Sequence, residues 1–121
     1  MDISKSDCII LEKILENLIA ITDERQELGV KRSADLSRIK NWQRMGFSQA
    51  VINVSELYTR LDDQVASTTQ INRLILKKVR DTAAHNYGAL NDVFLFTTID
   101  HLSDKNVIKQ VRDLISGKYS K

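Results

Sequence analysis

The sequence predicts an all-α fold, an antiparallel bundle of four to five helices, on three observations. Proline is absent and glycine occurs only four times in 121 residues, whereas hairpin-rich folds need turn formers at short intervals. Apolar residues recur at i, i+3, i+4 and i+7 over long stretches, the period of a helix with one buried side. The hydrophobic fraction of 42% and charged fraction of 28% match a folded chain whose length suits one domain, residues 1–121.

The first helix is expected from Ser6 to Leu28, with Leu11, Ile14, Leu15, Leu18 and Thr22 on one face and Ile10, Ile19 and Ile21 widening it. Gly29 supplies the stop. Ser33 can cap a second segment in which Leu36, Ile39, Trp42 or Gln43, and Met45 recur at helical spacing, with Gly46 breaking or kinking it. The cleanest pattern comes next: Phe47, Ala50, Val51, Val54, Leu57, Tyr58, Leu61 and Val65 predict a helix, and residues 67–70 read as a polar connection. A helix from Ile71 should turn Leu74, Ile75 and Val79 inward and Arg73, Lys77 and Lys78 outward, ending near Asn86, Tyr87 and Gly88. Asn91 is the expected N-cap of a helix from Asp92 to about Leu102. Ser103 or Asp104 should cap the last helix, where Val107, Ile108, Val111, Leu114 and Ile115 are apolar and Gly117 follows as a stop.

Composition narrows the function classes. Cys8 is the single cysteine, which excludes an internal disulfide and any multi-cysteine metal site. Two histidines with no tight cluster of carboxylates predict no metal site. No window reaches the ~18 consecutive apolar residues of a membrane span, and the N-terminus lacks a basic stretch leading into an apolar core. The expectation is a cytoplasmic protein without a membrane partner. Gly-rich phosphate loops, HExxH, GxSxG and acidic calcium loops are all missing. The net charge of +2 is too small to diagnose a nucleic-acid partner, so local clusters matter more.

The segment from Arg80 through Asp81, Thr82, Ala83, Ala84, His85 and Asn86 to Tyr87 carries the chemistry. A guanidinium can hold a phosphate through two hydrogen bonds and offset charge developing on its oxygens. An imidazole, with an ordinary pKa of roughly 6.5, can take or give a proton near neutral pH. Asp81 can orient that imidazole, or repel a substrate phosphate. Arg73, Lys77, Lys78 and Arg80 put four positive charges on one short stretch, which could follow a nucleic-acid backbone. Five positions rotate by roughly 140° on an ideal helix, so Arg80 and His85 would diverge within one chain. A compact site then needs either an unwound helix near His85 or two copies of the motif across a two-fold axis.

The stretch from Val79 to Tyr87 resembles the signature of the HEPN superfamily, specifically its HepT-like branch of small toxins: Arg, four residues, His, any residue, Tyr, at the end of a bundle helix. The likeness extends to residues 50–57, where an Ala-Val pair leads to a characteristic glutamate, Glu56, and through Asp92, Val93 and Phe94 to Leu102. It covers most of the chain from Phe47 to Ile115, with two departures. Asp81 stands where the family usually has Asn, and Ser55 where it has Gly.

The resemblance implies a HEPN-like bundle that homodimerises with its motifs facing each other, forming a metal-independent, cofactor-free endoribonuclease. Carried onto this chain, His85 is the general acid/base and Arg80 the phosphate ligand and transition-state stabiliser. The ribose 2′-hydroxyl attacks the adjacent phosphate, leaving a cyclic phosphate and a free 5′-hydroxyl. The family's toxins are silenced by a partner nucleotidyltransferase antitoxin of the MNT type, which adds AMP to the motif tyrosine, here Tyr87. The alternative is a non-catalytic HEPN module that binds a nucleotide or a nucleotidyltransferase.

Overall fold

The computed structural model describes residues 2–86 and 90–117. Tyr87 and Gly88, named above, lie outside the described residues. Those residues form six α-helices and no strand: α1 (Lys5–Leu28), α2 (Asn41–Tyr58), α3 (Asp63–Thr68), α4 (Arg73–Asn86), α5 (Asp92–Leu102) and α6 (Lys105–Ile115), with a short 3₁₀ helix at Ser33–Ser37.

Helix α1 is the centre of the packing, against α2, α5 and α6. It buries Leu11, Ile14, Leu18 and Ile21 along one stripe, each such side chain contributing about 1.5–3 kcal/mol when fully buried. Ser4 caps its start by accepting from the Asp7 amide at 3.0 Å. Its end is a Schellman turn: Gly29, at φ 67°, donates to the Gln26 carbonyl, and Val30 donates to the Arg25 carbonyl at 3.0 Å. Arg25, in the last turn, fastens this end to α5 through Asp100 and Ser103, both at 2.8 Å, while its guanidinium lies 5.1 Å from the centre of the Phe96 ring.

The second segment departs from expectation. Ser33 opens only a 3₁₀ turn that seats Leu36, and α2 starts afresh at Asn41. The buried line of α2 is Phe47, Val51, Val54 and Tyr58. Trp42 and Met45 lie roughly 140° and 160° of rotation from Phe47, so both stand in solvent, 66% and 59% exposed. Gly46 sits inside the helix and does not stop it.

The long apolar run ending at Val65 is two elements. The helix closes at Tyr58, a turn buries Leu61, and Asp62 caps α3 by accepting from the Gln64 amide at 3.0 Å. Val65 keeps its place in the core from this new helix. A sharp turn follows, with Gln70 at φ 64°. Asn72 then caps α4, its Oδ1 accepting from the amides of Leu74 and Ile75 at 3.0 and 3.2 Å. The inward residues of α4 are Leu76 and Val79, whereas Leu74 points out and is 75% exposed. Leu74 and Leu76 are two positions apart, roughly 160° around the helix, so they cannot share a face. Helices α5 and α6 follow the expected plan, capped by Asn91 and Asp104 and burying Leu95, Ile99 and Leu102, and Val107, Val111 and Leu114.

No helix among the described residues is long and apolar enough to cross a membrane.

Replacing Gly29 tests the end of α1. A Cβ there meets no atom within 4 Å, so the cost is that of the left-handed backbone alone. Gly29→Ala should lower stability by about 1 kcal/mol, read by urea unfolding, and Gly29→Asn should lose less. Equal stability of Gly29→Ala and the wild type would refute the backbone explanation.

Candidate functional site

Helix α4 is fastened to the body along one edge, through Leu76 and Val79, and α2 is its main neighbour. Ile75, Thr82 and Ala83 are half-buried beside this edge. Arg73, Lys77, Lys78, Arg80, Asp81 and His85 are all exposed.

The helix stays regular through Asn86, so the 3.6-residue period sorts these side chains. Arg73, Lys77 and Arg80 fall within roughly 60° of one another. His85 falls roughly 140° from Arg80, on the stripe that carries Leu74, Lys78 and Asp81. Local unwinding, one of the two routes to a compact one-chain site, is therefore not the arrangement found. Arg80 and His85 face different sides of the same helix.

Asp81 bonds backward. Its Oδ2 accepts from Lys77 Nζ at 3.0 Å, one turn toward the N-terminus, and among the described residues it makes no hydrogen bond to His85. Lys78 is drawn away from the other cations: its ammonium lies 4.6 Å from the centre of the Phe94 ring on α5. The four cations of the sequence cluster are thus divided. Arg73, Lys77 and Arg80 form one row, and Lys78 belongs to the α4–α5 side.

That row borders an open groove of about 230 Å³ between α2, α3 and α4. The buried side chains of Leu61, Ala66 and Leu76 line it, along with Tyr58, whose hydroxyl donates to the Ala66 carbonyl at 3.3 Å. Ser55, Thr59 and Asp63 complete the lining, Asp63 lying 3.7 Å from Arg73. The groove exists because the chain breaks at Tyr58 and restarts at Asp63, a break that the uninterrupted apolar spacing conceals. The Asp62-Asp63-Gln64 capping sequence is the signal that marks it.

Two further residues position α4. Arg44 on α2 pairs with Asp92 at 2.6 Å and donates to the Leu90 carbonyl, anchoring the start of α5 to α2. His101 on α5 accepts from the Asn72 amide through Nε2 at 2.8 Å. Its partner is 29 residues away in sequence, so no local pattern reveals the contact.

Among the described residues, no group of three or more His, Cys, Asp and Glu side chains is placed to hold a metal ion. No protein-family model, curated protein or solved structure matches this chain.

The His101 contact makes the start of α4 sensitive to pH. Burial holds the His101 pKa below its ordinary 6.5, against the opposing charges of Asp104 and Asp100. The neutral ring is also the form that can accept the Asn72 amide. A depressed folded-state pKa means that this contribution to stability is full above roughly pH 6.5 and falls as pH drops toward the folded value. Thermal melts between pH 7.5 and 5.5 should show the wild type losing stability, with a flatter profile for His101→Gln. Identical slopes for the two proteins would refute the role.

Proposed function

We propose that this chain is a HEPN-like, HepT-type toxin: a metal-independent endoribonuclease whose active site is shared between two copies. The observation that carries the reading is the disposition of Arg80 and His85, both exposed on a regular helix and turned to different sides. One chain offers a phosphate ligand and a proton carrier that diverge. A two-fold axis beside the last turns of α4 lets His85 of each copy approach Arg80 of the other.

In such a cleft, His85 takes the proton from the ribose 2′-hydroxyl as it attacks the adjacent phosphate. The imidazole, or its counterpart in the second copy, returns a proton to the departing 5′-oxygen. Arg80 binds the phosphate and stabilises the charge gathering on its non-bridging oxygens. Asp81, paired with Lys77 at 3.0 Å, is one turn from His85 and can orient the imidazole by exchanging partners. Lys77, Lys78 and Arg73 attract the RNA backbone. Tyr87, two residues beyond His85, is the proposed target of an MNT-type nucleotidyltransferase antitoxin. AMP there would add bulk and negative charge beside the proton carrier and block RNA.

A second reading, a non-catalytic module that binds a nucleotide, is favoured by the groove, which Arg80 lines without His85. Cleavage separates the two readings.

Purified protein should cleave RNA in EDTA and leave cyclic phosphate ends. His85→Ala should reduce the rate by about 10²–10⁴-fold, and Arg80→Ala by about 10²–10³-fold, with unchanged circular dichroism. Undiminished cleavage by His85→Ala would remove the catalytic assignment.

Light scattering should give the mass of a dimer at micromolar concentration. A stable monomer that still cleaves would rule out the shared site.

A further inference from the structure

We propose that the groove between α2, α3 and α4 is a nucleotide subsite: it holds one unit of a single-stranded RNA away from the scissile bond, with its phosphate on Arg73 and Lys77, while Arg80 at the end of the row keeps the scissile phosphate. This deepens the ribonuclease reading and rests on it.

Three cations at i, i+4 and i+7 form a row roughly 10 Å long on one helix face, and all three border the same concavity. A solvated charged face has no such partner surface. The groove's volume of about 230 Å³ lies below the ~300–1,000 Å³ of pockets that enclose a whole drug-sized ligand. That suits a single base with its sugar. Its buried apolar lining favours a base over a second charged group, and Thr59 at its edge offers a hydroxyl oxygen as acceptor.

The carboxylates already present do not satisfy this row. Asp63 is 97% exposed and stands 3.7 Å from Arg73; Asp81 is 58% exposed beside Lys77. Exposed pairs of this kind contribute about 0–1 kcal/mol, so the phosphodiester of a strand that neighbouring cations also hold can displace either one. Arg80 has no ion-pair partner among the described residues. Its position is the link between subsite and active site: a strand lying along the row reaches Arg80 last, next to the turn that carries His85.

The test is binding of a short 2′-O-methyl oligoribonucleotide, which cannot be cleaved, to the full chain, read by fluorescence anisotropy over a salt series. Arg73→Ala should weaken binding on the order of tenfold and make the slope of log K against log salt shallower by about 0.7. Thr59→Trp should weaken it comparably by filling the groove, with the salt slope unchanged because no charge is lost. Lys13→Ala, on the exposed side of α1, should bind as the wild type does. Competition by AMP would assign the groove to a lone phosphorylated nucleoside, and its failure to a unit held within a strand.

Wild-type affinity in both Arg73→Ala and Thr59→Trp, or no oligomer binding by the wild type, overturns the subsite. Cleavage by His85→Ala is scored separately. Loss of groove binding with RNA cleavage retained sinks the subsite alone, and groove binding without any cleavage sinks the catalytic reading alone.

Discussion

The structure turns on how little of α4 is buried. Leu76 and Val79 are its buried hydrophobic anchors, and they fasten it to the body chiefly through α2. A helix in a bundle commonly hides an apolar stripe of 100° or more; α4 keeps to the narrow end of that range and leaves much of the remaining arc, Leu74 included, to solvent. Four fully buried side chains of α1, by contrast, tie together three other helices. The stable part of the fold is therefore α1 with α2, α5 and α6, and α4 is the face that this frame presents outward.

A lightly buried helix must be held in direction by its ends, and polar contacts supply this. At its start, the Asn72 side chain satisfies two amides of the first turn while the Asn72 amide itself is taken up by His101. These are donors that a helix leaves without internal partners, so each bond replaces a lost water contact and also orients the helix relative to α5. Beyond its far end, Arg44 grips Leu90 and Asp92 and keeps the chain against α2. Lys78 adds a lateral tie to Phe94. None of these contacts needs more apolar surface, so the outer faces of α4 remain open to a strand or to a second copy.

The parts of the fold legible in the sequence are those where one period governs one element. In α1, α5 and α6, burial, caps and spacing agree, and Gly29 marks its stop through a conformation that glycine adopts without strain. The α2–α3 region is illegible for a physical reason. A turn that buries Leu61 and a short helix that buries Val65 happen to preserve helical spacing, so periodicity alone cannot distinguish two helices from one. Leu74 fails differently, because its apolar side chain implies burial when the phase of α4 is set by Leu76 and Val79. For the site, Arg73, Lys77, Arg80 and His85 are readable as chemistry, but their grouping is not. That depends on the phase of one helix and on a groove that forms only when three consecutive helices fold against one another.

The same helical period that makes α4 a stable element separates its two reactive groups. Arg80 belongs to the face of Arg73 and Lys77, and His85 to the face of Leu74, Lys78 and Asp81; no rotamer choice merges two faces roughly 140° apart. A kink could reunite them, but α4 carries neither proline nor glycine and continues as a helix through Asn86. Symmetry achieves the same end without bending the backbone, since a two-fold axis converts two diverging faces into two converging ones. The division then assigns distinct tasks. In the proposed dimer the cation row and its groove would hold a strand in register, while the opposite stripe would deliver His85 to the neighbouring copy. Were the site shared as proposed, it would be incomplete in a lone chain, and any partner that covers the exposed face of α4 or keeps two copies apart would silence it without touching His85.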